Sequence, residues 1–189
     1  MAFAVRACAP KDLKDIMRLI KRTSPAGNHS RHFEAEEEIA VIYKIPENEI
    51  RTSEEELMKA GFGEHPRFEC FVAEVPPQQK SKEGHTLIGY VLSVYTYSTW
   101  KGRNLYMDNL YVMPEFRGQG IGKRLLNRAT EAAWLKGCSQ LHMHVSSEKP
   151  ENIRFLEKHG GEDLSAKEGW SLLRFQEAQL RQMAAQSKC

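Results

Sequence analysis

Hydrophobic and polar positions change period several times along the chain, and each change marks an element. Phe3 to Ala7 reads as a first strand. After Pro10 the period lengthens to that of a helix running to about Arg22, with Leu13, Ile16, Met17 and Ile20 on one face and Lys11, Lys14, Asp15 and Lys21 mostly opposite. Thr23 to His32 carries Pro25, Gly27, Asn28 and Ser30 and has the composition of an exposed loop. The acidic run Glu34, Glu36, Glu37 and Glu38 then opens a helix expected to reach Tyr43, and it suits a solvated face better than a cation site. Ser53 followed by Glu56 is the signature of a capped helix start, and that helix is expected to stop near Ala60-Gly61.

From Phe68 onward the pattern becomes that of strands. Phe68 to Val75 and Leu87 to Tyr97 are aromatic and aliphatic runs joined by the polar stretch Pro76 to Gly84, and Gly89 is a candidate bulge. Trp100 to Asn104 turns the chain into a third strand, Leu105 to Met113, which stops at Pro114 because proline cannot donate to a ladder. Helical spacing returns with Ile121, Leu125, Ala129 and Ala132. Gln140 to Val145, Glu151 to His159, Trp170 to Phe175 and Glu177 to about Ala185 then read as strand, helix, strand and helix, with Gly160-Gly161 stopping the first of these helices. Antiparallel strands followed by a strand, helix, strand crossover predict an α/β fold. Its central sheet should be mixed and largely antiparallel, with helices on both faces.

Composition narrows this picture. At 189 residues and 41% hydrophobic, the chain suits one domain over 1–189. A net charge of +2, with no basic stripe of interleaved aromatics, argues against a nucleic-acid partner. No apolar run approaches a membrane span, so no membrane partner is expected. Cys8, Cys70, Cys138 and Cys189 are too scattered for a zinc ribbon or a Cys-x-x-Cys motif, and reduced thiols in the cytoplasm are the expectation. His142 and His144 alternate on one predicted strand and so share a face, but no third ligand stands at suggestive spacing, and no metal is expected.

The candidate chemistry lies between the third long strand and the helix after it. Gly118, Gly120 and Gly122 are each separated by one residue. Such a run lets successive N–H groups converge on an anion at the positive end of a helix, and Arg117 would add a cation. The dinucleotide fingerprint fails because Lys123 stands where its third glycine belongs. The nucleoside-triphosphate loop fails because Gly122-Lys123 is followed by Arg124, not by Ser or Thr. A glycine-rich helix start with no ligand is the plain alternative. The remaining pattern, Arg-x-x-Gly-x-Gly at a strand end, resembles the acetyl-CoA pyrophosphate loop of the GNAT family of N-acetyltransferases.

The resemblance narrows to the spermidine/spermine N1-acetyltransferase and thialysine N-acetyltransferase branch. It rests on Arg18-Leu19-Ile20-Lys21, Gly61-Phe62-Gly63-Glu64-His65-Pro66, Val72-Ala73-Glu74-Val75-Pro76, Tyr111 through Gly122, and Asp163-Leu164-Ser165 with Glu168-Gly169-Trp170. These strings span nearly the whole chain, and 23–37 looks like an insertion. The resemblance implies acetyl-CoA as cosubstrate, held by Leu110, Tyr111 and Val112 and by Arg117, Gly118, Gln119, Gly120, Ile121, Gly122 and Lys123. It implies a small cationic amine as substrate, faced by Asp108, Asn109 and Glu168, and a homodimer.

Three departures bear on mechanism. Asp108-Asn109 stands where the branch has Glu-Asp, so one negative charge is missing near the amine and a tetraamine should be held less well. Glu148-Lys149 replaces a Trp-Asn pair, and Leu156 occupies the position of the branch's tyrosine general acid. Acetyl transfer needs a neutral amine, although an alkyl ammonium has a pKa near ~10.4, and it needs the oxyanion to be met, which the main-chain N–H near Leu110 does in the family. A missing general acid typically costs on the order of 10² to 10⁴ in rate, which slows transfer without forbidding it. Tyr106, Tyr111 and His144 are candidate substitutes, although strand aromatics usually serve the core. Two function classes follow. One is an N-acetyltransferase of a polyamine, diamine or thialysine-like amino acid; the other is an acetyl-CoA-binding protein with weak or no catalysis that acts through protein partners.

Overall fold

The computed structural model describes residues 2–22, 40–41 and 50–186. The insertion at 23–37 and the acidic run Glu34 to Glu38 lie outside these residues. The chain divides into two compact units, Met1–Phe155 and Leu156–Cys189.

The first unit is built on a sheet ordered β1-β3-β4-β5-β2, with β6 also paired to β5. Its strands are β1 (Ala4–Ala7), β2 (Ala40–Val41), β3 (Glu69–Glu74), β4 (Leu87–Ser98), β5 (Gly102–Val112) and β6 (Gln140–His142). The pairs β1·β3, β3·β4, β4·β5 and β2·β5 are antiparallel, whereas β5·β6 is parallel. A parallel pair needs a long crossover, and α3 (Ile121–Leu135) supplies it. Every residue from Leu87 to Ser93 is buried. Successive side chains of a strand point to opposite faces, so both faces of β4 are covered.

Helix α1 (Leu13–Arg22) packs against β4 and α2 (Glu54–Phe62), and α3 lies across β1, β3, β4 and β5. Their buried stripes are Leu13, Ile16 and Leu19 on α1, and Ile121, Leu125, Leu126, Ala129 and Ala133 on α3. Both are rotated slightly from the expected stripes. Leu19 replaces Met17 and Ile20, which are half-buried, and Ala133 is buried where Ala132 is half-buried. The expected cap of α2 is present in full. Glu56 N donates to Ser53 Oγ at 3.2 Å, and Ser53 N donates to Glu56 Oε2 at 2.7 Å.

Near β1, Arg6 joins the edge strand to the first helical turn. Its guanidinium donates to both Asp12 oxygens at 2.7 and 2.9 Å and to Glu74 Oε2 at 2.9 Å, while Ala9 N donates to Asp12 Oδ2 at 2.8 Å. This cation holds the Asp12 carboxyl below the ordinary carboxylate range.

Helix α4 (Pro150–Lys158) crosses the division between the units. The second unit adds α5 (Leu164–Glu168) and α6 (Glu177–Gln186). The short α5 was not expected; Asp163 caps it, its Oδ1 accepting from Ser165 N at 2.9 Å and Ala166 N at 3.3 Å.

Three sequence expectations are corrected. Ala40–Val41 is a strand rather than part of a helix reaching Tyr43, because the outer edge of β5 offers main-chain donors and acceptors that it pairs. The strand at Gln140 stops at His142 and does not continue to Val145, since its parallel register with β5 covers only Asn104, Leu105 and Tyr106. Trp170 to Phe175 is irregular and not a strand, for no strand among the described residues pairs with it.

Candidate active site

Strand β5 changes partners along its outer edge. Asn104 to Tyr106 pair with β6, and Leu110 and Tyr111 pair with β2. Between them the β4·β5 ladder slips: Leu92 pairs with Asn109 and Ser93 with Met107, which leaves Asp108 as the extra residue of a β-bulge. A bulge bends its strand and re-aims the side chains around it. Here it falls two residues past Tyr106, the last β5 residue paired with β6.

Asp108 is half-buried, and its carboxyl accepts a 2.9 Å hydrogen bond from Asn109 Nδ2. Burial pushes its pKa above the ordinary carboxylate value, and His144 acts in the opposite direction. His144 follows the end of β6, and its Nδ1 shares a 2.7 Å hydrogen bond with Tyr106 Oη. The two rings lie 5.4 Å apart, centroid to centroid. The parallel register of β5 and β6 therefore brings Tyr106, Asp108, Asn109 and His144 to one fork in the sheet. His142 is exposed, and among the described residues no three His, Cys, Asp or Glu side chains gather as a metal site.

The strand end beyond the bulge presents main-chain groups outward. Met113 N donates to Ile88 O of β4 at 2.8 Å, so alternation turns Tyr111 toward β4 as well, and Leu110 and Val112 away from it. Arg117 Nε donates to the Val112 carbonyl at 3.0 Å, which agrees with that orientation. Gly89 is required here for closeness and not as the bulge itself: a Cβ on it would stand 2.7 Å from Tyr111 O, and the extra residue on β4 is Ile88. Tyr111 is buried, packs on Tyr90 at 6.4 Å between centroids, and lies under Arg117. Burial raises the pKa of its hydroxyl, with Arg117 opposing.

The glycine loop has the conformation an anion site needs. Gly118 and Gly120 have φ of +74° and +78°, values that cost a residue with a Cβ. Gly120 is the N-cap of α3 and, being glycine, offers no capping side chain of its own to the first-turn N–H groups. A Cβ on Gly120 would find nothing within 4 Å. Gly118, Gln119, Gly120 and Lys123 are exposed, whereas Ile121 and Gly122 are buried in the packing of α3. Open space beside exposed amides at the positive end of a long helix, with a guanidinium at the loop's start, fits a pyrophosphate.

The second unit carries the remaining predicted positions. Leu156 is a half-buried residue of α4, and its carbonyl accepts from His159 N and Gly161 N at 2.9 and 3.0 Å. Glu168 ends α5, is exposed, and its Oε2 accepts from Trp170 Nε1 at 2.7 Å. Tyr106 and His144 stand 38 residues apart in the sequence. No local pattern signals their pairing, because only the crossover through α3 makes them neighbours.

A sequence model of the Acetyltransferase (GNAT) family matches residues 31–161. The chain is 36% identical over 180 residues to the thialysine N-epsilon-acetyltransferase of Mus musculus, covering 95% of this chain and 96% of that protein. It is 39% identical over 142 residues to the Sus scrofa protein of the same name, covering 75% and 84%. Identity to the human spermidine/spermine N(1)-acetyltransferase-like protein 1 is 32% over 182 residues, which is 96% of this chain and 24% of that one. Among solved structures, an aminoglycoside N-acetyltransferase AAC(6')-Iy in complex with CoA has a TM-score of 0.61 at 16% identity, with 93% of this chain and 95% of that one covered. A Vibrio cholerae integron cassette protein reaches 0.67 at 18%, with 97% and 98% covered.

Proposed function

Because the chain belongs to the acetyltransferase (GNAT) family, we propose that it transfers an acetyl group from acetyl-CoA to a primary amine of a small, cationic, thialysine-like amino acid or short diamine. The fork at Asp108 carries this reading. A half-buried carboxylate, a Tyr–His hydrogen bond and an outward main-chain edge meet there, one strand end from the glycine loop that opens α3.

Arg117 and the loop Gly118 to Lys123 would hold the pyrophosphate, and the outward groups of Leu110 and Val112, with Tyr111 between them, would take the main-chain bonds of the extended arm. Binding at Leu110 exchanges the β2 pairing for the amides of the cosubstrate. Bound acetyl-CoA supplies a thioester whose thiol leaves readily, a thiol of cysteine type having a pKa near ~8.5. Every other task falls to the chain. Asp108 attracts the ammonium, and Asn109 orients that carboxylate. His144, through its bond with Tyr106, takes up the proton the amine must lose, since an alkyl ammonium stays protonated up to about pH 10.4. The Leu110 N–H donates to the developing oxyanion. Tyr106 returns a proton to the leaving thiolate, a role Leu156 cannot fill.

Two named relatives are thialysine acetyltransferases and a third carries spermidine/spermine in its name, which supports an amine of this size. With one carboxylate at the fork, the amine selected carries one or two charges and not four. A homodimer is proposed as well: the second unit exposes Trp170, Leu172, Leu173 and Phe175, a large apolar cost to leave in water, and a second copy is the occupant that would cover them. No helix among the described residues is long and apolar enough to cross a membrane, and Cys8, Cys70 and Cys138 are all free thiols, which suits a cytoplasmic setting.

The test is free-thiol release from acetyl-CoA with thialysine, lysine, putrescine, spermidine and spermine. Thialysine or putrescine should give the highest kcat/KM. Tyr106→Phe and His144→Gln should each lower kcat by about 10² or more with acetyl-CoA affinity kept. Unchanged kcat in both variants would remove the pair from the reaction. Tight acetyl-CoA binding without turnover on any amine would mean a binding protein.

A further inference from the structure

Cys8 and Cys70 face each other across the β1·β3 ladder. The register runs Ala4 to Glu74 through Ala7 to Phe71, and Cys8 N donates to Cys70 O at 2.8 Å, which continues it by one residue. Directly opposed residues put their side chains on one face of the sheet. The Cα atoms of a hydrogen-bonded antiparallel pair stand about 5.5 Å apart, inside the ~4.4–6.8 Å range of disulfides. Cβ separations in such a pair lie toward the wide end of about 4.5–5.5 Å, roughly 1 Å beyond the ~3.5–4.5 Å a disulfide takes. A small inward movement closes the bond, and the bond so formed stays easily reduced.

The two thiols are unequal. Cys8 is half-buried just past the end of β1, and Cys70 is buried in β3. The neighbouring Cys70 side chain pulls the Cys8 thiol below its ordinary pKa; burial and Asp12 oppose this, and Arg6 assists it. The same contact, with burial, pushes Cys70 up. Cys8 is thus the reachable, more acidic partner.

We propose that Cys8 and Cys70 are a redox-modifiable thiol pair that closes to a cross-strand disulfide on exposure to hydrogen peroxide. The Cys8 thiolate attacks one peroxide oxygen: an S–O bond forms, the O–O bond breaks and hydroxide leaves, so Cys8 is oxidised to the sulfenic acid and the peroxide is reduced. The Cys70 sulfur then attacks the Cys8 sulfur. The S–S bond forms, the S–O bond breaks, and the departing hydroxide takes the Cys70 proton as water. Two thiols and one peroxide, with their protons, give one disulfide and two waters. The link ties the edge strand to its neighbour and closes the loop that holds α1 and α2, which restricts the unfolded chain.

Full-length protein at low concentration is treated with hydrogen peroxide, quenched by alkylation and mapped without reduction. A Cys8–Cys70 linked peptide, an intact-mass loss of two hydrogens reversed by dithiothreitol, and a higher melting temperature than the reduced form are expected. Cys8→Ser and Cys70→Ser should each abolish all three, and Cys138→Ser should abolish none. Stable sulfinic acid on Cys8 with Cys70 still alkylatable, or a linked peptide that uses Cys138, would overturn the proposal.

Discussion

Replacing Gly120 by alanine adds a methyl group to a residue at φ +78° and ψ 7°, the N-cap of α3, where a Cβ meets no atom within 4 Å. The folded protein therefore loses stability through backbone conformation alone, by about 1–2 kcal/mol for an L-residue in the left-handed region. For a chain of this size that lowers the melting temperature by about 2–8 °C. Gly102 is the matched control: it also has φ +78° with nothing within 4 Å, but it sits at the β4–β5 turn, opposite Ser98. Gly102→Ala should lose about as much stability as Gly120→Ala. Only Gly120→Ala places its methyl group beside the loop amides, so only it should weaken CoA binding, about tenfold or more, equivalent to about 1.4 kcal/mol. Thermal melts and CoA titrations on the two variants read both quantities. Equal CoA affinities, with the expected matched loss of stability, would refute the placement of the pyrophosphate at this loop.

Three further outcomes follow from other parts of the fold. Asp108→Asn should raise KM for the amine several-fold and leave that for acetyl-CoA unchanged. Because burial raises the Asp108 pKa, its contribution to stability is present below the ordinary carboxylate pKa and lost as pH rises through the folded value; the variant should melt higher than wild type at neutral pH, with the gap closing on acidification. Asp12→Asn leaves Arg6 with one carboxylate partner fewer and should cost about 2–3 kcal/mol at neutral pH by denaturant titration. Here the folded pKa is depressed, so the stability is present above the ordinary carboxylate pKa and the penalty should shrink as pH falls through the carboxylate range. Val41→Pro removes a main-chain donor from β2 and should tighten acetyl-CoA binding by freeing the edge at Leu110; weaker binding would show that β2 supports the site and does not compete for it.

Local chemistry made much of this legible in advance. Ser53 and Glu56 announce the cap of α2 because both partners are local, and Gly118 and Gly120 announce a left-handed loop because other residues pay for that conformation. The bulge at Asp108 was hidden. Nothing in Tyr106-Met107-Asp108-Asn109-Leu110 departs from an ordinary strand pattern, and the slip exists only in the register with Leu92 and Ser93. The Tyr106–His144 bond was hidden for the same reason, being a product of strand pairing at a distance. Trp170 to Phe175 failed differently: its composition suits a strand, but a strand needs a ladder partner, and none of the described residues provides one.

The chain belongs to an acetyltransferase family, and its proposed reaction moves an acetyl group from acetyl-CoA onto a small amine. The most direct measurement incubates the protein with acetyl-CoA and thialysine and compares free thiol released with N-acetylated amine formed, by mass. Thiol and acetylated product rising together, one for one and only when both amine and protein are present, is the expected result. Thiol release that does not depend on the amine, or none despite saturable acetyl-CoA binding, would contradict it.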